Sequence, residues 1–344
     1  MNTSNENILS EDINSRSKID IHADDYALTP NTSKEMLELM REGLLNSVSI
    51  IANMSCFEEC MEMLKDAIPT LPFLPLMSVH VNLVEGRVTC EGDMPEAIIK
   101  QCGNSVTSSE ISTKTSEPRL LNLSWGRLYL YSYILGRKNP VRIAIENEVK
   151  AQVVKCQNAI RECIQIAADN GIRCDQKGLR IDSHQHTHMI PMVWNACIKA
   201  SEDMEEPLEY IRNSHEMLGV FLKNGQLLRT YRPVNIVKNR ILALHSGKAD
   251  RLCDKKGLDK MYLWGLIMSG RMDKDRIEAL ISDVRAYSDK NNRCLEILFH
   301  PGTTLPEEVT EELNADAVRD FYESSGRAAE NEAVRSIKSI MSLK

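Results

Sequence analysis

Ile19-Asp20-Ile21-His22-Ala23 reads as a strand, and Thr29-Pro30 shortly after it supplies an N-cap with proline at the first helical position. Met36, Leu37, Leu39 and Met40 mark the buried face of that helix, and Gly43 is its expected stop. A second buried strand over 48–52, a helix over 55–67 and a third strand over 76–83 follow. This β-α-β-α-β order predicts a parallel sheet. Outward from it come a long amphipathic helix over about 141–170, a helix near 191–203 and a short strand over 208–212. Helices around 234–245 and 273–290, a strand over 294–299 and a C-terminal helix from about 327 complete the pattern. Such alternation fits a β/α barrel or a doubly wound sheet, and both put active-site residues at the C-terminal ends of the strands.

Residues 1–17 are polar and without periodicity, which predicts a disordered extension ahead of a single catalytic domain over 18–344. Within that domain, 85–140 breaks the pattern with a Ser/Thr-rich stretch and an aromatic segment, read as an insertion after the third strand packed over the sheet edge. A net charge of −7 lacks the basic excess that a nucleic acid or an anionic membrane demands, so small polar ligands are the expected partners. The ten cysteines include no CxxC pair and no secretory apolar region is seen at the N-terminus, which predicts reduced thiols in a cytoplasmic protein. The longest apolar stretches fall short of the roughly 18 residues a membrane span needs.

Ile181-Asp182-Ser183-His184-Gln185-His186-Thr187-His188 places an Asp and three of the eight histidines within seven residues. On a continuing strand, Asp182, His184, His186 and His188 share one face. Neutral imidazoles are the commonest protein ligands for divalent metals. The strand ends sort the other polar groups: Asp24 and Asp25 end the first strand, His80 the third, and His300 precedes Pro301-Gly302 after the late one. One carboxylate with two imidazoles leaves positions open for water and substrate, as a hydrolytic metal requires. Adjacent strand residues face opposite ways unless the chain turns, so Asp24 and Asp25 are expected to differ in role.

Four segments taken in order resemble the motifs of the YdjC-like (ChbG-type) carbohydrate deacetylases: Ala23-Asp24-Asp25-Tyr26, Ser78-Val79-His80-Val81-Asn82-Leu83-Val84-Glu85-Gly86, Asp182 through His188, and His300-Pro301-Gly302. The resemblance covers about 18–302. It implies a distorted β/α barrel related to the polysaccharide deacetylases and one divalent metal ion, magnesium or zinc ahead of manganese or cobalt. The implied reaction removes acetyl groups from N-acetylated sugars, either chitooligosaccharides or a surface-glycan sugar. Carried across, it makes Asp25 the metal carboxylate, His80 and His184 the imidazole ligands, and Asp24 the general base acting on water. His300 becomes the candidate acid for the leaving amine, or a residue orienting Asp24. His186 and His188 become supporting or substrate contacts, and Asp182 the holder of one imidazole tautomer. Arg212 either binds substrate or neutralises Asp24. Relatives that pair make a homodimer one expected state.

The chain also departs from that family. Where Asp-Asp-Phe-Gly is common, Tyr26-Ala27 stand here, so the turn after the first strand lacks its glycine. The 85–140 region does not align and leaves the sugar open. Two rivals stand beside the deacetylase: another metal-dependent amidohydrolase or esterase on the same fold, and a non-catalytic carbohydrate-binding protein. No Lys or Arg adjoins Asp24, Asp25, His80 or His184 in sequence, which weighs against phosphate esters. Asp24 beside a full ligand set weighs against binding alone. His22, His215 and His245 match no motif and are read as structural or surface residues, and the aromatics between 125 and 133 as core packing.

Overall fold

The computed structural model describes residues 19–101, 118–204, 206–228, 230–313, 321–322 and 324–342, so the extension expected over 1–17 lies outside the described residues. The strands are β1 (Ile19–Tyr26), β2 (Ser47–Ile50), β3 (Leu76–Val81), β4 (Ile99–Gln101), β5 (Arg119–Leu121), β6 (Leu179–Ser183), β7 (Leu208–Ile211), β8 (Met261–Trp264) and β9 (Cys294–Phe299). Seven of them form one sheet in the order β7-β6-β3-β2-β1-β9-β8, every pair parallel. The result is a distorted β/α half-barrel, with β7 and β8 as its two edges. The other two, β4 and β5, make an antiparallel hairpin.

The helices are α1 (Pro30–Arg41), α2 (Phe57–Ala67), α3 (Trp125–Ile134), α4 (Pro140–Asp169), α5 (Pro191–Asp203), α6 (Leu218–Leu222), α7 (Gly225–Leu228), α8 (Pro233–Lys256), α9 (Lys274–Lys290) and α10 (Ser325–Ser342). The expected helices start within two residues of where the sequence puts them, whereas α3, α6 and α7 were not expected as helices. Thr29 accepts from the Thr32 backbone N–H to cap α1, and Asn139 and Asp273 cap α4 and α9 in the same way. The eighth helix runs on past Ser246-Gly247, beyond the expected stop at 245. One interior glycine costs only about 1 kcal/mol, and Leu242, Ala249 and Cys253 carry the buried stripe through it. The short β8 was not anticipated, because Met-Tyr-Leu-Trp shows no alternation. Within the insertion, α3 packs against α5, and its Ser132 Oγ accepts from the Met192 N–H at the start of that helix. No helix among the described residues is long and apolar enough to cross a membrane.

Period-two alternation divides the strands into an apolar and a polar face. Ile21, Ala23, Val48, Ile50, Val79, Ile181, Ile297 and Phe299 join the core beneath the helices. The intervening residues fill the concave side with buried hydroxyls and charges. Ser47 reaches Asp20 at 2.5 Å and His22 at 2.6 Å, Ser49 reaches His22 at 2.6 Å and Asp182 at 2.5 Å, and Tyr210 donates to Glu296 at 2.6 Å. Buried polar groups need such partners. The network links β1, β2, β6, β7 and β9 and leads up to the strand ends.

Candidate metal centre

A break in the strand lets β1 deliver both Asp24 and Asp25. Ala23 pairs with Val48 but Tyr26 with Ile50, so β1 carries one residue more than β2 across this interval. Asp25 takes up the extra residue at φ 74. Ala27 also adopts a left-handed conformation, φ 64, and its N–H is held by Ser33 Oγ at 2.9 Å. An alanine thus occupies the conformation that glycine favours.

The run after β6 departs from expectation. The strand ends at Ser183, and His184–Met189 forms a tight 3₁₀ turn with Gln185 at φ 54 and His186 at φ 60. His184, His186 and His188 therefore do not share one strand face. The left-handed pair re-aims each ring separately.

Asp25, His80 and His184 come together, each offering one donor atom, with all three atoms within 4.8 Å of one another and all three residues buried. His80 Nε2 lies 3.5 Å and His184 Nδ1 3.0 Å from Asp25 Oδ1. Donors on a tetrahedral ion with bonds near 2.0–2.1 Å are separated by about 3.3 Å, so the spacing fits. The far nitrogens are occupied too. His80 Nδ1 is 2.6 Å from Asp182 Oδ1, and His184 Nε2 is 3.0 Å from Glu85 Oε1 and 3.2 Å from the Tyr322 hydroxyl. In the neutral form of each ring, the carboxylate behind it holds the N–H there and leaves the near nitrogen's lone pair facing Asp25. Burial opposes protonation of these rings, yet without an ion Asp24 and Asp182 raise His80 to about 9, and Asp25 and Glu85 raise His184 to about 10. Against burial, His184, His80 and Arg327 hold Asp25 well below the usual carboxylate range. The centre attracts positive charge.

Asp24 sits beside this set, its Oδ2 3.9 Å from His80 Nε2. Arg212 forks it with two bonds of 2.8 Å, and donates through Nε to Glu296 at 2.7 Å. His22 Nε2 approaches the other side of Asp24 at 3.2 Å. Burial would raise the Asp24 carboxyl, but Arg212 first, then His80 and His22, hold it well below its ordinary value. His22, Asp24 and Asp182 form a second grouping close enough to hold an ion. Arg212 already lies 2.8 Å from Asp24 and 3.2 Å from Asp182. A fully buried guanidinium there supplies the positive charge and repels another cation.

The remaining expected residues separate. Arg212 has every nitrogen engaged inside the protein, which supports neutralisation of Asp24 over direct substrate binding. His188 is fully buried, its Nδ1 2.6 Å from Ser183 Oγ and its Nε2 donating to the Arg212 carbonyl at 2.8 Å; it braces β6 against β7. His186 is held at Nδ1 by Ser214 Oγ at 2.9 Å. His300 ends β9 with its backbone N–H on Glu330 at 2.5 Å and its ring edge-on to Phe321, while its Nδ1 has no hydrogen-bond partner. His300 makes no hydrogen bond to Asp24.

Several residues escaped sequence reasoning. Glu85 lay inside a quoted motif without a role. Glu296 carried a usable signal, a charge in the middle of the apolar strand Cys294–Phe299. His22, read as a structural or surface residue, is fully buried at the centre of the network. Arg327 and Tyr322 come from the C-terminal region with no local motif. Arg327 binds Asp25 Oδ2 at 3.1 Å and donates to the Gly302 carbonyl at 2.6 Å, tying the His300-Pro301-Gly302 turn to Asp25. Gly302, at φ 87, has no room for a side chain: a Cβ there would lie 2.7 Å from the Thr32 carbonyl oxygen.

A distorted β/α half-barrel with a buried Asp/His group at its strand ends defines a class of proteins whose strand ends could hold a metal ion. Within that class the chain belongs to the family described as YdjC-like protein, which it matches over residues 18–338. A protein of Brevibacillus brevis named "Carbohydrate deacetylase" is 23% identical over 193 residues, which span 56% of this chain and 59% of that relative. The fold is that of an Enterococcus faecalis V583 protein provisionally described as a cellobiose-phosphate cleavage protein. That match has a TM-score of 0.51 at 15% identity and covers 94% of each chain.

Proposed function

We propose that this protein is a metal-dependent hydrolase that removes the acetyl group from N-acetylated sugars, with Asp25, His80 and His184 holding one divalent ion. The supporting observation is the pair of imidazoles, each backed by its own carboxylate, Asp182 or Glu85, and each turning a nitrogen toward Asp25. An ion at these donors supplies Lewis-acid polarisation of an amide carbonyl and acidifies water. Two nitrogen donors favour zinc or cobalt over magnesium and manganese, which prefer oxygen. The curated relative's name favours a sugar amide over other amides.

The chain's own residues divide the proton work. Asp24 is the base: Arg212 keeps it ionised and aimed, and by the same charge makes it a weak base, suited to a proton that is already acidic. His300, at the end of β9 with Glu330 Oε2 3.7 Å from its Nδ1, is the proton donor to the leaving amine. Arg212 and His188 are positioning residues.

Acetate release from a panel of N-acetylated sugars and chitooligosaccharides tests the reading, using protein stripped of metal and reloaded with single divalent ions. The expected result is release that needs the ion and is lost in Asp24→Asn while ion affinity is kept. Ion binding without acetate from any sugar would overturn the sugar assignment and redirect the site to other amides or esters.

A further inference from the structure

We infer that Arg327 is a positioning residue of the proposed ion site: it occupies one oxygen of Asp25, so that the ion is held by the other oxygen alone; this rests on the reading of Asp25, His80 and His184 as ligands. No motif surrounds Arg327, which arrives on the first turn of α10. Gly326 lets that turn come close to its neighbour, since a Cβ there would collide with the Gly270 carbonyl oxygen. The guanidinium is fully buried, its carbon 5.5 Å from the ring centre of Phe321 and 5.9 Å from that of Tyr322. Its donors are divided among three acceptors. Nη1 donates to Asp25 Oδ2 at 3.1 Å, Nε to the Gly302 carbonyl at 2.6 Å and Nη2 to the Pro301 carbonyl at 3.4 Å. Glu330, three residues on along the same helix face, anchors that turn from its other end, accepting from the His300 N–H at 2.5 Å and from the Met272 N–H at 3.1 Å. Arg327 therefore cannot leave Asp25 without giving up its bonds to the His300-Pro301-Gly302 turn.

The two adjacent aspartates are treated differently. Arg212 takes both oxygens of Asp24, at 2.8 Å each, whereas Arg327 takes only Oδ2 of Asp25. Asp25 Oδ1 is left facing the imidazoles, 3.0 Å from His184 Nδ1 and 3.5 Å from His80 Nε2. A carboxylate can bind an ion through one oxygen or through both. Both oxygens of Asp25 on the ion would fill a position that a hydrolytic site needs for water or for the substrate carbonyl. An anchored guanidinium on Oδ2 prevents that, and keeps the position open.

The test is infrared difference spectroscopy of the full chain on loading with one equivalent of zinc. A carboxylate bound through one oxygen separates its antisymmetric and symmetric stretches more widely than a free one, and a carboxylate bound through both separates them less. Zinc should widen the separation in the wild type. In Arg327→Met, where the bound ion still supplies a counter-charge for buried Asp25, zinc should narrow it, and Arg327→Lys should restore the wild-type pattern. Narrowing in the wild type, which requires no variant to fold, overturns the inference alone, as does an undiminished widening in Arg327→Met. Zinc that leaves every carboxylate band of the wild type unmoved overturns it together with the ion-site reading.

Discussion

Replacing Glu85 isolates the claim that His184 is oriented for an ion. Its Oε1 sits 3.0 Å from His184 Nε2, and the Tyr322 hydroxyl donates to the same carboxylate oxygen. Glu85→Ala removes the acceptor that keeps the proton on Nε2, so the ring is free to place it on Nδ1 instead, 3.0 Å from Asp25 Oδ1. That tautomer satisfies Asp25 with a hydrogen bond and withdraws the lone pair an ion requires. A charge-assisted hydrogen bond is worth about 1.5–3 kcal/mol, which corresponds to roughly 10- to 100-fold in affinity and agrees with the usual effect of removing a ligand's orienting partner. Glu85→Gln keeps an acceptor but loses the charge and should fall at the lower end, about 10-fold. Competition for zinc against a chromophoric chelator, at fixed pH and salt, measures both variants; circular dichroism checks that they fold. A folded Glu85→Ala protein whose zinc affinity stays within about twofold of the wild type would refute the reasoning, since orienting partners should cost more than that.

Two further outcomes follow from the same electrostatics. Without an ion, His80 and His184 are raised to about 9 and about 10, above the unfolded value near 6.5. Their contribution to stability is thus complete below pH about 6.5 and is lost as pH rises through 9 and 10. Scanning calorimetry should find the ion-free Tm falling between pH 7 and 10 and the ion-loaded Tm much flatter, because bound imidazoles are already neutral. Arg212→Met leaves Asp24 and Glu296 buried without their counter-charge and should cost about 3–5 kcal/mol in chemical denaturation; wild-type stability in that variant would contradict the role given to Arg212.

The sequence exposed the strand ends because chemistry concentrates there. Asp24, Asp25, His80, His184 and His300 interrupt or follow apolar runs, and the rule that sites lie beyond the C-terminal ends of parallel strands brings them together. The Thr29-Pro30 start and the Gly43 stop were equally legible, since capping is local. What stayed hidden is set by tertiary packing. The turn at Gln185 and His186 adopts left-handed backbone that neither residue type signals strongly, so a strand-like spacing of three histidines misled. Arg327 and Tyr322 reach the site from far along the chain without any motif. The partnership of Glu85 with His184 depends on where two separate strands end, which no local pattern records.

Counting ions tests the central claim most directly. Isothermal titration of metal-stripped protein with zinc should give one site per chain, lost in Asp25→Ala and His184→Ala and kept in Asp24→Asn. Two sites per chain, or a single site that survives the loss of both Asp25 and His184, would contradict the account.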